Sequence, residues 1–278
     1  MHSFTQIETN IGVGTPPPGW RSIVDCNLWI IVGVTGVGKS TTIETLQQIG
    51  AQFALLPNRR LLTDRLMIER LQSEDGDPLQ PVRDRMKRFG YTRRYRERFH
   101  GGMAHALAQL QIGSGLARKQ LVFDGLRGVN EVEHAIYLFP LAHFVVLHAP
   151  DLVRVERLLQ RKDRFDSVEF QQKVDQDKTN QQTISRDPYT VLDVDDASTV
   201  FEPSEVVNLL TLVQTNRVEL AELRSKIRIV VEERRNYDPN ATLATLLRDA
   251  ADRTIAVDTT IQTPTQIATS IADAMKLT

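Results

Sequence analysis

Residues 28–42 read LWIIVGVTGVGKSTT, five apolar residues running directly into Gly33-Val34-Thr35-Gly36-Val37-Gly38-Lys39-Ser40. An apolar run, then G-x-x-x-x-G-K-[ST], then the helix-forming stretch Lys39 to Gln48 predicts a strand, a phosphate-binding loop and a helix in that order. The glycines let the backbone curl until successive N–H groups point inward, and the positive end of the helix dipole reinforces them. The expected nucleotide contacts are therefore Gly33, Thr35, Gly36, Val37, Gly38, Lys39, Ser40 and Thr41. Lys39 can carry its charge to the β- and γ-phosphate oxygens, Ser40 can hold magnesium through its hydroxyl, and Thr41 can meet the α-phosphate.

Working outward, four more short apolar runs alternate with helix-like stretches: Gln52 to Leu56, Gln120 to Phe123, His143 to His148 and Thr254 to Val257. That alternation predicts an α/β protein of the P-loop NTPase type, a five-stranded parallel sheet between two helix layers, with helical insertions. Pro150 and Asp151 start a helix whose Leu152, Val155, Leu158 and Leu159 repeat at helical spacing, and Thr263-Pro264 supplies cap and first turn for a last helix to Met275. Residues 1–25, with TPPPG at 15–19, are expected to be a flexible lead-in to one domain over 26–278. Three pieces exceed what a minimal sheet needs: 58–110, 162–189 and 201–251. The last is expected to hold one long helix from Glu205 to Arg235 and a shorter one from Ala241 to Ala251. The stripe Leu220, Leu223, Ile227 and Val230 should seat the long helix on the body, with pairing to a second copy of the chain as the alternative.

A magnesium site needs a carboxylate, and LVFDG at 121–125 supplies Asp124 where the carboxyl edge of the sheet faces the ligand crevice. Its expected work is to hold a magnesium-bound water or to accept a proton from an acceptor hydroxyl. The plain alternative is a turn cap before Gly125.

Charge is close to balanced, with a net charge of −1 over 278 residues, yet Arg83, Arg85, Lys87, Arg88, Arg93, Arg94, Arg96 and Arg98 face only Asp84 and Glu97 within 83–98. Such a cluster concentrates positive potential, and Arg59, Arg83, Arg93, Arg94 and Arg96 are the expected contacts to a small phosphorylated acceptor. Two other readings stay open: a nucleic-acid end stacked on Tyr91 and Tyr95, and a solvated, salt-bridged helix. His100 and His105 lack partner ligands for a metal. The single Cys26 excludes an internal disulfide. No apolar run approaches the roughly 20 residues of a membrane span, and residues 1–25 show no signal-peptide pattern, so a cytoplasmic protein is expected.

GVTGVGKSTT (33–42), LVFDGLRGVNEVEHA (121–135), FVVLHAPDLVRVERLLQRKDRFD (144–166) and AVDTT (256–260) together resemble the nucleoside monophosphate kinase superfamily. Within it the chain is most similar to dephospho-coenzyme A kinases and archaeal adenylate-kinase-like proteins, over about half its length. The resemblance implies the sheet order 2-3-1-4-5, an acceptor-binding segment after the second strand (58–110) and an arginine-bearing lid after the fourth (162–189). It implies ATP rather than GTP, with no guanine-selective N-K-x-D in the chain. It makes Arg127 an acceptor or phosphate contact, and it makes Arg157, Arg161 and Arg164 the arginines that steady adenine and the transferring phosphoryl group. With Lys39 and Asp124, Arg127, Arg161 and Arg164 complete the expected catalytic set. The acceptor segment and the insertion after residue 200 depart from the family pattern, so the substrate is not named by it. A P-loop ATPase or NTP-dependent switch remains the alternative to a kinase.

Overall fold

The computed structural model describes residues 4–160 and 187–277. The chain folds as two compact units: Met1–Val34, Gly38–His148 and Tyr237–Thr278 form the first, and Thr35–Val37 with Ala149–Asn236 the second.

The first unit begins with β1 (Thr5–Glu8), β2 (Ile11–Val13) and β3 (Arg21–Ser22), followed by β4 (Leu28–Val32), α1 (Lys39–Gln48) and β5 (Ala54–Leu55). Next come α2 (Arg59–Leu62), a π-helical turn over Thr63–Ile68, α3 (Glu69–Asp75), α4 (Arg85–Arg98) and α5 (Met103–Ala108). Then follow β6 (Leu110–Ile112), β7 (Leu121–Leu126), α6 (Val129–Leu138) and β8 (His143–His148). In the second unit lie α7 (Asp151–Gln160), α8 (Pro188–Leu192), α9 (Pro203–Gln214) and α10 (Leu220–Asn236). The chain returns to the first unit with α11 (Pro239–Asp249), β9 (Thr254–Asp258) and α12 (Pro264–Leu277).

The parallel sheet runs β5-β7-β4-β8-β9, which in chain order of its five strands is 2-3-1-4-5. β4 is its centre, paired to β7 on one side and β8 on the other, and all five of its residues are buried because helices cover both faces. α1 packs with α12, while α6 packs with α5 and α11. Asp238 caps α11 through the N–H groups of Asn240 and Ala241, so the turn around Pro239 starts that helix as well as ending the one before it.

Residues 5–22 are not a loose lead-in. β1, β2 and β3 join β6 in a four-stranded antiparallel sheet ordered β1-β2-β6-β3, and Ile11 and Ile23 enter the core of the first unit. Leu110 and Ile112, both fully buried, give these short strands an apolar partner. The single long helix expected over Glu205 to Arg235 is two. α9 stops at Thr215, and Asn216 takes a left-handed conformation (φ 53°) that ends a helix and turns the chain into α10. The stripe expected on the long helix does face inward: Leu223, Ile227 and Val230 are buried in the core of the second unit with Val155, Leu158, Val206 and Leu209. That use leaves the stripe no part in pairing with a second copy.

Inside the first unit, the Tyr95 hydroxyl meets His105 Nδ1 at 2.9 Å and accepts from Gln109 Nε2 at 3.0 Å. Phe99 stacks on His105 at 4.4 Å. Burial, helped by Arg70 and His134, lowers the pKa of His105; burial, helped by Arg253, lowers that of His143, which stacks on Trp29. A histidine whose folded pKa lies below its unfolded value takes up a proton on unfolding. Stability contributed by these two rings is therefore complete above the ordinary value of about 6.5 and is lost as pH falls through the lower folded values. Thermal melts from pH 8 to pH 5 should show the melting temperature falling on the acid side, and His143→Phe should flatten that fall. A slope unchanged in the variant would remove His143 from the account.

Candidate functional site

Gly38 closes the loop between β4 and α1 in a left-handed conformation (φ 100°) and serves as the cap of α1. Only glycine adopts this φ without strain, which is why the loop can bring its amides to the first turn of the helix. Thr42 is consumed by the helix itself, its N–H and hydroxyl both donating to the Gly38 carbonyl. Ser40 and Thr41, by contrast, are exposed at the helix start and accessible to a ligand. Lys39 folds back along the loop: Nζ donates to the carbonyls of Gly33 at 2.9 Å and Val34 at 3.1 Å and lies 3.9 Å from Asp124 Oδ1.

Asp124 stands within β7, not past its end. Its register partner is Ile31, and the pairing then skips Gly125 so that Val32 pairs with Leu126. The skip is a bulge that re-aims the strand end, the usual role of such an insertion beside a site. Asp124 Oδ1 is buried and has no hydrogen-bond partner among the described residues. A buried carboxylate oxygen without a donor is costly in a finished core and fits a cation or a metal-bound water instead. With the exposed Ser40 hydroxyl, the residues present therefore fit a phosphate-bound magnesium, which takes one or two protein oxygens and completes its shell with water and phosphate. Among the described residues no group of three or more His, Cys, Asp or Glu could hold a metal by side chains alone.

At the same strand end, Arg59 forks onto Glu131, Nη1 to Oε2 at 2.7 Å and Nη2 to Oε1 at 2.6 Å, and Nη1 also donates to the Gly125 carbonyl. Glu131 Oε2 accepts the backbone N–H of Arg127 at 3.1 Å as well. Arg96 reaches the same place: a Cβ added at Gly102 would lie 3.2 Å from Arg96 Cγ and 3.7 Å from Glu131 Oε1. Of the arginines expected from the sequence, Arg59 through its guanidinium and Arg127 through its backbone N–H thus meet Glu131 beside β7, with the side-chain stem of Arg96 alongside at Gly102. Glu131, which organises them, was not expected. Its place four residues after Arg127, on the inner face of the α6 periodicity, was the available signal.

Most of the remaining arginine cluster is spent on structure. Arg94 forms a two-pronged pair with Asp75, both contacts 2.8 Å, and lowers its carboxyl pKa. Arg88 pairs with Asp64, and Arg98 with Glu74. Arg93 sits 3.9 Å from Glu97 on the exposed face of α4, and Arg83 is exposed. The acids of α3 and the π-helical turn account for this, since Asp64, Glu74 and Asp75 lie alongside α4. Tyr95 is fully buried and presents no face for a base to stack on, which removes half of the platform expected for a nucleic-acid end. Arg161 and Arg164 lie outside the described residues, as does most of the expected lid.

The loop apex, Thr35–Val37, belongs to the second unit. There the N–H of Thr35 donates to Glu233 Oε2 at 2.9 Å and its hydroxyl to Glu233 Oε1 at 2.6 Å. The Thr35 carbonyl accepts Arg154 Nε at 2.8 Å, and Arg157 Nη1 donates to the Gly36 carbonyl at 3.3 Å. Thr35 was expected to contact nucleotide, but its donors are already engaged by protein. Arg154 and Glu233 were not expected at the loop, and nothing local in the sequence points to a partner 198 residues away.

A family model described as an AAA domain matches residues 30–176, just over half of the chain. The chain is also similar to UPF0200 proteins of the archaea Saccharolobus solfataricus and Saccharolobus islandicus, each 24% identical over 157 residues that cover 56% of this chain and 76% of the relative. Among the described residues no helix is long and apolar enough to cross a membrane. A phosphate loop after the central strand of a 2-3-1-4-5 sheet, matched by the family model over the same residues, carries nucleoside triphosphate binding with it, and the chain belongs to the AAA-domain family of P-loop NTPases.

Proposed function

We propose that the chain is an ATP- and magnesium-dependent phosphotransferase acting on a nucleotide or another small phosphorylated acceptor. One observation supports this reading: at the end of β7 the Arg59 guanidinium and the Arg127 N–H bond Glu131, the stem of Arg96 lies alongside, and Asp124 Oδ1 has no hydrogen-bond partner among the described residues. Hydrolysis has no phosphorylated acceptor to hold, whereas transfer to one calls for cations beyond those that serve the transferring phosphoryl group. Arg96 is half-buried and has no ion-pair or hydrogen-bond partner among the described residues, so it can turn its guanidinium to an acceptor phosphate.

Within this reading Lys39 and the loop amides hold the β- and γ-phosphates and stabilise charge on the transferring group, the dominant contribution in phosphoryl transfer. Ser40 and Asp124 would hold magnesium, which neutralises phosphate charge when bound. Asp124 or its water orients the acceptor hydroxyl, and Arg127 meets an acceptor phosphate. Arg59 acts chiefly by fixing Glu131 and the strand end. Arg161 and Arg164, whose role rests on family resemblance, are proposed to steady the transferring phosphoryl group. A cytoplasmic site of action is proposed with it. The AAA-domain match also favours a second reading, an ATPase that needs no acceptor.

ADP release from ATP and magnesium, measured with nucleoside monophosphates, dephospho-coenzyme A, phosphorylated sugars and short oligonucleotides against a no-acceptor control, separates the two. Stimulation by one acceptor class is expected; a rate indifferent to all of them favours the ATPase. With the stimulating acceptor, Arg96→Ala should raise the acceptor KM about tenfold or more and leave the ATP KM in place, since a forked guanidinium–phosphate contact is lost. Arg94→Ala, already paired with Asp75, should change neither. The reverse outcome would move the acceptor to the outer face of α4.

A further inference from the structure

The phosphate loop is gripped by a network that the nucleotide reading does not use. Arg154 is completely buried on α7, and Glu233 is 7% exposed on α10. Arg154 Nη2 donates to Glu233 Oε2, Nη1 to Asp151, and Nε to the Thr35 carbonyl. Asp151 in turn pairs with Arg234 at 2.9 Å. Two acids and two arginines thus balance, and both peptide groups of Thr35, with its hydroxyl, are bonded to them. Gly36 fits only because it lacks a side chain: at φ 87° an added Cβ would lie 3.1 Å from the Cα, Cβ and carbonyl oxygen of Arg154. α10 is itself fixed by Leu223, Ile227 and Val230 in the core of the second unit, so Glu233 is presented from a rigid support.

We propose that Glu233 and Arg154 are positioning residues that hold the apex of the phosphate loop in its nucleotide-binding shape, a role given to the helical insertion. A glycine-rich loop that had to order itself around each incoming phosphate would lose affinity to that ordering, and a loop already fixed at Thr35 and Gly36 does not. Both residues meet the loop at Thr35. This inference rests on the phosphate-loop reading but not on the acceptor, so its test needs no turnover.

Binding of ADP with magnesium is measured by calorimetry for the full chain and its variants. Glu233→Ala removes the acceptor of the Thr35 N–H and hydroxyl and should weaken ADP about tenfold. Glu233→Gln keeps the geometry, its oxygen accepting from the Thr35 N–H and Arg154 while its amide donates to the Thr35 hydroxyl, and should stay within about threefold of wild type. Arg154→Met combined with Glu233→Leu removes both charges at once, so no buried ion is left unpaired and the melting temperature should change little. Its ADP affinity should nevertheless fall as in Glu233→Ala, which a merely structural pair would not cause. Wild-type affinity in Glu233→Ala or in the double variant overturns the inference. Tighter binding in Glu233→Ala also overturns it, making the carboxylate a competitor of the phosphates. Equal losses in Glu233→Gln and Glu233→Ala overturn it by tracing the effect to charge, not geometry. A wild-type chain that binds no ADP overturns this inference together with the nucleotide reading.

Discussion

Lys39→Ala should lower nucleotide turnover by about 10³-fold or more, the scale at which a single preorganised charge or donor acts on a transition state. In the structure the Lys39 side chain is 12% exposed, and its Nζ is bonded to two loop carbonyls and lies 3.9 Å from Asp124 Oδ1. The lysine is therefore poised between loop and carboxylate, and an incoming β–γ phosphate offers it a stronger partner than either carbonyl. Alanine removes that charge from the reacting phosphoryl group and leaves Asp124 without its neighbouring cation. Arginine should not rescue, because a planar guanidinium cannot occupy the space of a compact ammonium against the loop backbone. Turnover is read as ADP release at saturating ATP, with a melt to show that the variant is folded. A folded variant within tenfold of wild type would take the reacting phosphates away from Lys39. The outcome bears on the site and not on the reaction class, since kinase and ATPase both need this charge.

The phosphate loop was legible because its chemistry is local: glycine spacing, lysine and hydroxyl sit within eight consecutive residues, and the flanking apolar run and helix confirm them. The parallel sheet was legible for a related reason. Strands buried on both faces need unbroken apolar runs, and β4, β7 and β8 stand out from the polar stretches around them, while β9 at the sheet edge carries a shorter run. The antiparallel sheet of β1, β2, β3 and β6 escaped notice because its strands are two to four residues long and lie beside a proline-rich turn. In the arginine segment, composition showed where positive charge gathers but not which acids face it. Asp64, Glu74 and Asp75 lie up to 24 residues from the arginines they pair with, and only the packing of α4 alongside the π-helical turn and α3 brings them together. Glu233 was the least legible, since its partners come from both ends of a long stretch of chain and no spacing rule joins them.

Arg59→Ala should destabilise the fold by about 3–5 kcal/mol, the range for breaking a buried, hydrogen-bonded ion pair from one side. Glu131 is 3% exposed, and its two strongest bonds come from Arg59. Alanine at 59 would leave a buried carboxylate with the Arg127 N–H as its remaining mapped donor and would free the Gly125 carbonyl at the bulge of β7. The melting temperature should fall by roughly 10 °C on the scale of a chain this size. Arg59→Lys should recover part of the loss, because one ammonium replaces the charge but not the fork. Replacing both residues, Arg59→Met with Glu131→Leu, should recover most of it, since no charge is then buried unpaired. Denaturant unfolding measures all three, and a single variant within about 0.5 kcal/mol of wild type would show that solvent relieves Glu131. The double variant carries the functional half of the argument. If it is as stable as wild type yet no longer responds to acceptor, Glu131 and Arg59 serve the site by shaping the end of β7, where Asp124 and Arg127 meet the acceptor. If it responds normally, the acceptor is held by Arg96 and Arg127 alone, and the Arg59–Glu131 pair is part of the scaffold.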